Sequence, residues 1–109
     1  VAFDTVNLRV SKNRPVYFPN VFAPDKPYPD DHFTGFSGPA VEQFSLLRIY
    51  DRWGELVFEK ENFPLNEPNF GWDGTFRGKK MTGVFTWYAL VRFVDQVELP
   101  YDGNVTVVR

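Results

Sequence analysis

The run VFTWYALVRFV, residues 84–94, decides the fold. Phe85, Trp87, Ala89, Val91 and Phe93 form one alternating set, and Val84, Tyr88, Leu90 and Val94 belong to the other. A period of two in a segment rich in aromatic and β-branched residues is the pattern of a strand. Because both sets are largely apolar, this strand is expected to sit centrally in its sheet.

Upstream, QFSLLRIY (43–50) and ELVFEK (55–60) form the clearest hairpin, joined by Asp51 to Gly54. A type I turn followed by Gly54 in the left-handed region would close it, since glycine has no Cβ to oppose positive φ. Gly54 then takes the backbone task, and Arg52 and Trp53 are free of it. Trp53 is expected to fold back until at least half buried, with Arg52 hydrogen-bonded to a nearby backbone group or carboxylate or lying against a ring.

Further out, FDTVNLRV (3–10) alternates as an edge or half-buried strand, and VYFPNVF (16–22) is confined by Pro19 to an edge, a bulge or a strand end. Residues 24–39, with four prolines, read as a long loop with a short extended piece around Phe33. Within WDGTFRGKKMTG (72–83), Asp73-Gly74, Gly78 and Gly83 mark successive turns, and NVTVVR (104–109) closes the chain as a final strand. No long segment carries a helical period. About seven short strands separated by turns imply an all-β fold, an immunoglobulin-like antiparallel β-sandwich.

The length of 109 residues suits one domain with a single core. Residues 1–14 are read as a leading strand or linker. A net charge of −2 leaves no electrostatic footprint for nucleic acid. No apolar run is long enough for a membrane helix, so direct membrane insertion is not expected. The absence of cysteine excludes disulfides, thiolate metal sites and cysteine nucleophiles. The start at Val1, with neither methionine nor signal peptide, reads as a piece of a longer protein. The end at Arg109, just after the last strand, suits a native C-terminus.

Catalysis needs a set of groups that this chain does not assemble. His32 is the sole histidine and lies in an acidic loop, and no carboxylate pair is indicated across a cleft. GTFRGKK leads to a turn and a strand, with no helix behind it to hold phosphate. Asp25, Asp30 and Asp31 crowd one loop and are oxygen donors of the type calcium takes, but Pro27 and Pro29 interrupt their spacing. A solvated acidic loop is the favoured reading, and no cofactor is expected. Trp72 and Trp87 are assigned to the core. Trp53 and Tyr101, if exposed and coplanar, would instead make a sugar-stacking platform, the mark of a carbohydrate-binding or adhesion module.

The order of motifs is more specific than any one of them. FPNVFAP (18–24), IYDRWGELVFE (49–59), WDGTFRGK (72–79), TGVFTWYALV (82–91) and GNVTVVR (103–109) together resemble the gliding-motility-associated C-terminal domain. That family contains the type B sorting domains of the Bacteroidetes type IX secretion system. The resemblance covers residues 15–109. Asp51 stands where the family usually has Asn, Met81 lies near a common proline, and the loop after Phe22 matches the family's acidic, glycine-rich version only at its ends.

The resemblance implies a non-enzymatic address at the C-terminus of a larger passenger protein, exported through the periplasm and outer membrane to the cell surface or medium. It further implies recognition by outer-membrane components of the secretion system, including a small partner of the SprF kind. For a signal read through protein contacts, hairpin tips and the edge of the terminal strand are natural surfaces. The candidate contact residues are Arg52 and Trp53, the basic turn with Arg77, Lys79 and Lys80, and the last strand with Asn104, Val105, Thr106, Val107, Val108 and Arg109.

Overall fold

A computed structural model describes residues 16–28 and 31–109. The strand expected at 3–10 lies outside the described residues. Nine strands follow in order: β1 (Val16–Tyr17), β2 (Val21–Phe22), β3 (Phe36–Ser37), β4 (Val41–Tyr50), β5 (Leu56–Phe63), β6 (Thr75–Phe76), β7 (Lys79–Lys80), β8 (Gly83–Phe93) and β9 (Glu98–Val107). Among the described residues the only helical element is a 3-10 turn, Pro68–Phe70. The fold is all-β. Nine strands replace the expected seven because five are two-residue pieces, too short to leave a periodic trace in the sequence.

Five strands form one sheet in the order β2-β9-β8-β4-β5, and β8 lies at its centre as its composition predicts. The pairings are antiparallel except for β2, which runs parallel to β9 with Val21 beside Thr106 and Phe22 beside Val107. Partners across the sheet share a face, so Ile49, Trp87 and Gly103 fall in one inward row, and Leu47, Ala89 and Tyr101 in the next. Gly103 opposite Trp87 leaves room for the indole: a Cβ there would lie 3.0 Å from the ring.

The second layer of the sandwich is built from short ladders and loops. Two-stranded sheets β1-β3 and β6-β7, and a single bridge between Phe33 and Trp72, cover the inner face of the large sheet. The bridge is a reciprocal pair, Phe33 N–H to Trp72 O at 2.8 Å and Trp72 N–H to Phe33 O at 3.0 Å. Aromatic rings carry the contact between layers. Phe18 stacks on Trp87 with centroids 4.1 Å apart, Phe33 meets Trp87 at 5.9 Å, and Trp72 meets Phe85 edge-on at 5.0 Å. Such pairs each add about 0.5–1.5 kcal/mol beyond area burial. Phe33, Phe44, Leu47, Ile49, Val91 and Val105 are fully buried.

Among the described residues the opposite face of the sheet is left exposed. Val84 and Tyr88 of β8 are exposed there, with the Arg48–Glu59 pair at 2.7 Å in the same outward row as Tyr88. An antiparallel sheet tolerates one solvated face, so a central position in the sheet does not require two covered sides.

Candidate functional site

The hairpin between β4 and β5 turns tightly because Asp51 closes it twice. Its backbone accepts the Gly54 N–H at 3.0 Å and donates to Glu55 O at 2.9 Å. Its carboxylate Oδ1 accepts the N–H groups of Trp53 at 2.8 Å and Glu55 at 2.9 Å. Gly54 adopts φ +84, as the expected turn requires. With the Trp53 and Glu55 amides held by the Asp51 carboxylate and that of Gly54 by its carbonyl, the turn closes without help from the Trp53 ring.

Trp53 is 84% exposed, which overturns the expectation that it folds back over the sandwich. The turn lies beyond the last cross-strand pair of the hairpin, Tyr50 with Leu56. Among the described residues Arg52 has no hydrogen-bond or ion-pair partner, so its expected bond is also absent. The two side chains border a shallow groove of about 230 Å³ whose far wall is Met81, Thr82 and Val84.

The WDGT segment ties the neighbouring hairpin down. Trp72 is buried and donates Nε1–H to Thr75 O at 2.9 Å, while Asp73 Oδ1 accepts the Thr75 N–H at 3.0 Å and its hydroxyl at 2.7 Å. Gly74, at φ +83, packs so closely on Pro24 that a Cβ would fall 2.6 Å from its ring. Arg77 and Gly78 both take positive φ, +54 and +78, giving the two-residue turn that matches strand twist. Arg77, Lys79 and Lys80 are exposed, and the Arg77 guanidinium lies over the Phe76 ring at 4.8 Å.

At the chain end, Val105 and Val107 are core residues, Asn104 and Val108 are exposed and Thr106 is half-buried. The terminal strand is not a free edge over its last residues. Thr106 N–H donates to Asn20 O at 2.9 Å and Val108 N–H to Phe22 O at 3.1 Å, so β2 occupies the edge expected to be open. The Arg109 side chain, only 15% exposed, donates from Nε to Met81 O at 3.0 Å and from Nη2 to Gly74 O at 2.9 Å, and Nη1 pairs with Asp25 at 3.3 Å.

The strand ends therefore gather most of the candidates in one place. β4 ends, β5 begins, β8 begins and β9 ends at the same end of the sheet, where Arg52 and Trp53 face Met81 and Thr82, and Arg109 links Met81 to the WDGT turn. Asn104 lies further in, opposite Thr86. Sequence reasoning missed the work of three groups: the carboxylates of Asp51 and Asp73 and the guanidinium of Arg109. An Asp that begins a turn was a usable signal for the first two; nothing local signals the third.

The acidic loop does not converge on a cation. Asp25 faces Arg109, and Asp31 lies 2.9 Å from His32 Nδ1. Asp30 lies outside the described residues. Among the described residues no three carboxylate or imidazole groups come together. Tyr101 faces the inner layer, 5.9 Å from Phe18, whereas Trp53 stands at the hairpin tip, so the two rings do not form a platform.

A family model, the CHU_C type IX secretion signal domain, matches residues 16–107, a range that takes in all nine strands. The chain belongs to this family. A type IX secretion signal domain is recognised by the secretion machinery, is attached to a passenger and serves export to the cell surface or medium. The family is one of signal domains and not a known enzyme family. Neither the curated proteins nor the solved structures compared gave a match. Within the secretion signal domain, the sequence features that carry the resemblance have physical tasks: Asp51 and Gly54 shape one hairpin, and Trp72 to Thr75 anchor the other.

Proposed function

We propose that the domain is a non-enzymatic C-terminal address, read as a folded surface by outer-membrane components of a Bacteroidetes type IX system, with a SprF-type protein as direct partner. The passenger precedes it in the same chain and crosses the outer membrane with it. The surface read is the end of the sheet that carries Arg52 and Trp53, flanked by Arg77, Lys79 and Lys80. Asn104, Thr106 and Val108 border it, while Val105, Val107 and Arg109 act by holding it in shape.

The observation that supports this reading is the state of Trp53. A large aromatic ring left in water, on a turn whose Trp53, Gly54 and Glu55 amides are already held by Asp51, is not needed to close that turn. Trp and Arg are also the side chains most enriched among residues that dominate protein interfaces.

The test is a fluorescent reporter behind a Sec signal, fused to residues 1–109 in a type IX-competent host. Export is expected with the domain and not without it. Arg52→Ala with Trp53→Ala should reduce export at least about tenfold while stability stays within about 0.5 kcal/mol, since both side chains project into solvent. Export without the domain, or full export of the folded double variant, overturns the assignment of address or of surface respectively.

A further inference from the structure

The charge of the domain is distributed unevenly. From Gly74 to Val94 the sequence holds four basic residues and no acid, and three of the four, Arg77, Lys79 and Lys80, fall on the β6-β7 hairpin. The chain's net charge of −2 is thus +3 on this hairpin and −5 on the remainder. Other cations meet acids within the domain: Arg48 with Glu59, Arg92 with Glu42 and Arg109 with Asp25. Among the described residues Arg77, Lys79 and Lys80 have no ion-pair partner, and all three are exposed.

The hairpin holds these cations in fixed places. Cross-strand pairing sets Phe76 opposite Lys79 and Thr75 opposite Lys80, so Lys79 shares a face with Phe76 and Lys80 lies on the other. Arg77 rests its guanidinium over the Phe76 ring, which keeps its fork on the same face as Lys79. Met81, next in the chain after Lys80, donates its N–H to Gly74 O at 2.9 Å and forms part of the groove wall that faces Arg52 and Trp53. The basic hairpin and the exposed ring are therefore parts of one surface. Of the carboxylates on the adjoining turns, Asp51 and Asp73 accept N–H groups of their own turns and Asp25 pairs with Arg109, while Glu55 stays exposed.

We propose that the protein which reads this end of the sheet presents a cluster of carboxylates to the β6-β7 hairpin. Lys79 and Lys80 supply the attraction, Arg77 takes one carboxylate with its two-pronged fork, and Trp53 packs against an apolar side chain at the edge of the cluster. A flat anionic membrane would meet Asp51, Glu55 and Asp73 along with the cations, whereas a protein can set its acids opposite the hairpin alone. The −5 on the remainder repels wrong approaches, so the charge asymmetry orients the domain as it meets the acidic face. This inference rests on the reading of the Arg52–Trp53 end as the recognised surface.

The test uses the reporter fusion in a type IX-competent host, with the initial export rate as the readout. Lys79→Gln with Lys80→Gln should slow export about fivefold, Lys79→Glu with Lys80→Glu at least about twentyfold, and Lys79→Arg with Lys80→Arg should keep it within about twofold. Both positions are exposed on a two-residue ladder, so the purified variants should unfold within about 2 °C of the parent. If the Glu pair does not fold, the Gln pair decides. Failure of the address reading shows as export without the domain, and failure of the surface reading as full export of Arg52→Ala with Trp53→Ala. Export that needs the domain and those two residues yet is unchanged in the Glu and Gln pairs overturns the acidic partner alone, as does equal loss in the Arg and Glu pairs. In sedimentation with vesicles of about 30% phosphatidylglycerol in phosphatidylcholine the domain should stay in the supernatant; binding that the Glu pair loses would assign the cations to lipid and overturn the proposal.

Discussion

Gly71 offers the sharpest test of how the second layer is held. A Cβ built there lies 2.1 Å from the Phe33 carbonyl oxygen and 3.1 Å from Thr34 Cβ. Carbon and oxygen in contact sit about 3.3 Å apart, so Gly71→Ala must drive the two segments apart by about 1 Å. Both bonds of the Phe33–Trp72 bridge, now 2.8 and 3.0 Å, then exceed hydrogen-bonding distance. Two backbone bonds at about 1 kcal/mol each, with about 1–2 kcal/mol from disturbed ring pairs, give a loss near 3–4 kcal/mol. The reduced freedom of the unfolded alanine chain returns only about 0.5 kcal/mol. Urea unfolding followed by tryptophan fluorescence should show a midpoint lower by about 2 M, for a slope of about 1.5 kcal/mol per M. Gly38→Ala is the control, since nothing lies within 4 Å of its Cβ and its φ is not positive. A Gly71→Ala midpoint within about 0.5 M of the parent would refute the account of the bridge as the clasp of this layer.

Two other substitutions test the turn and the chain end. Asp51→Ala removes the acceptor for two amides and should cost about 1–2 kcal/mol, read as a drop of about 4–8 °C in Tm, whereas Asp51→Asn keeps Oδ1 and should restore most of it. Equal loss in both variants would place the stabilisation elsewhere. Arg109→Ala should cost about 2 kcal/mol, since two carbonyl acceptors and Asp25 lose a shared donor, and Arg109→Lys should recover less than half because an ammonium lacks the fork that spans them. A urea midpoint unchanged in Arg109→Ala would show that water replaces the guanidinium without loss.

The parts of the fold legible in the sequence were those with local causes. The alternation of Phe85, Trp87, Ala89, Val91 and Phe93 names the inward face of β8, and all five are buried. Gly54 marks the turn because only its backbone conformation is difficult for other residues, and Trp72 and Trp87 are core as read. Phe33 was harder: it sits among prolines that read as loop, and its burial depends on pairing with Trp72, 39 positions later by their numbers. The parallel contact of β2 with β9 leaves no periodic signal because it spans two residues. Trp53 was misjudged because large rings are usually buried, whereas here Asp51 and Gly54 close the turn without the ring. The candidate surface was visible as residue types. Its gathering at one end follows from the register of four strands and appears only in three dimensions.

The pairing of β2 with β9, and the Arg109–Asp25 contact across 84 positions, join the two ends of the described chain. Contacts so distant in sequence form late, after the intervening loop is closed. A polypeptide that stops a few residues short can collapse but cannot complete its sheet or seat the guanidinium against the WDGT turn. Both contacts are therefore lost together if either described end is removed, and the domain behaves as a latch whose two halves lie at opposite ends of the same chain.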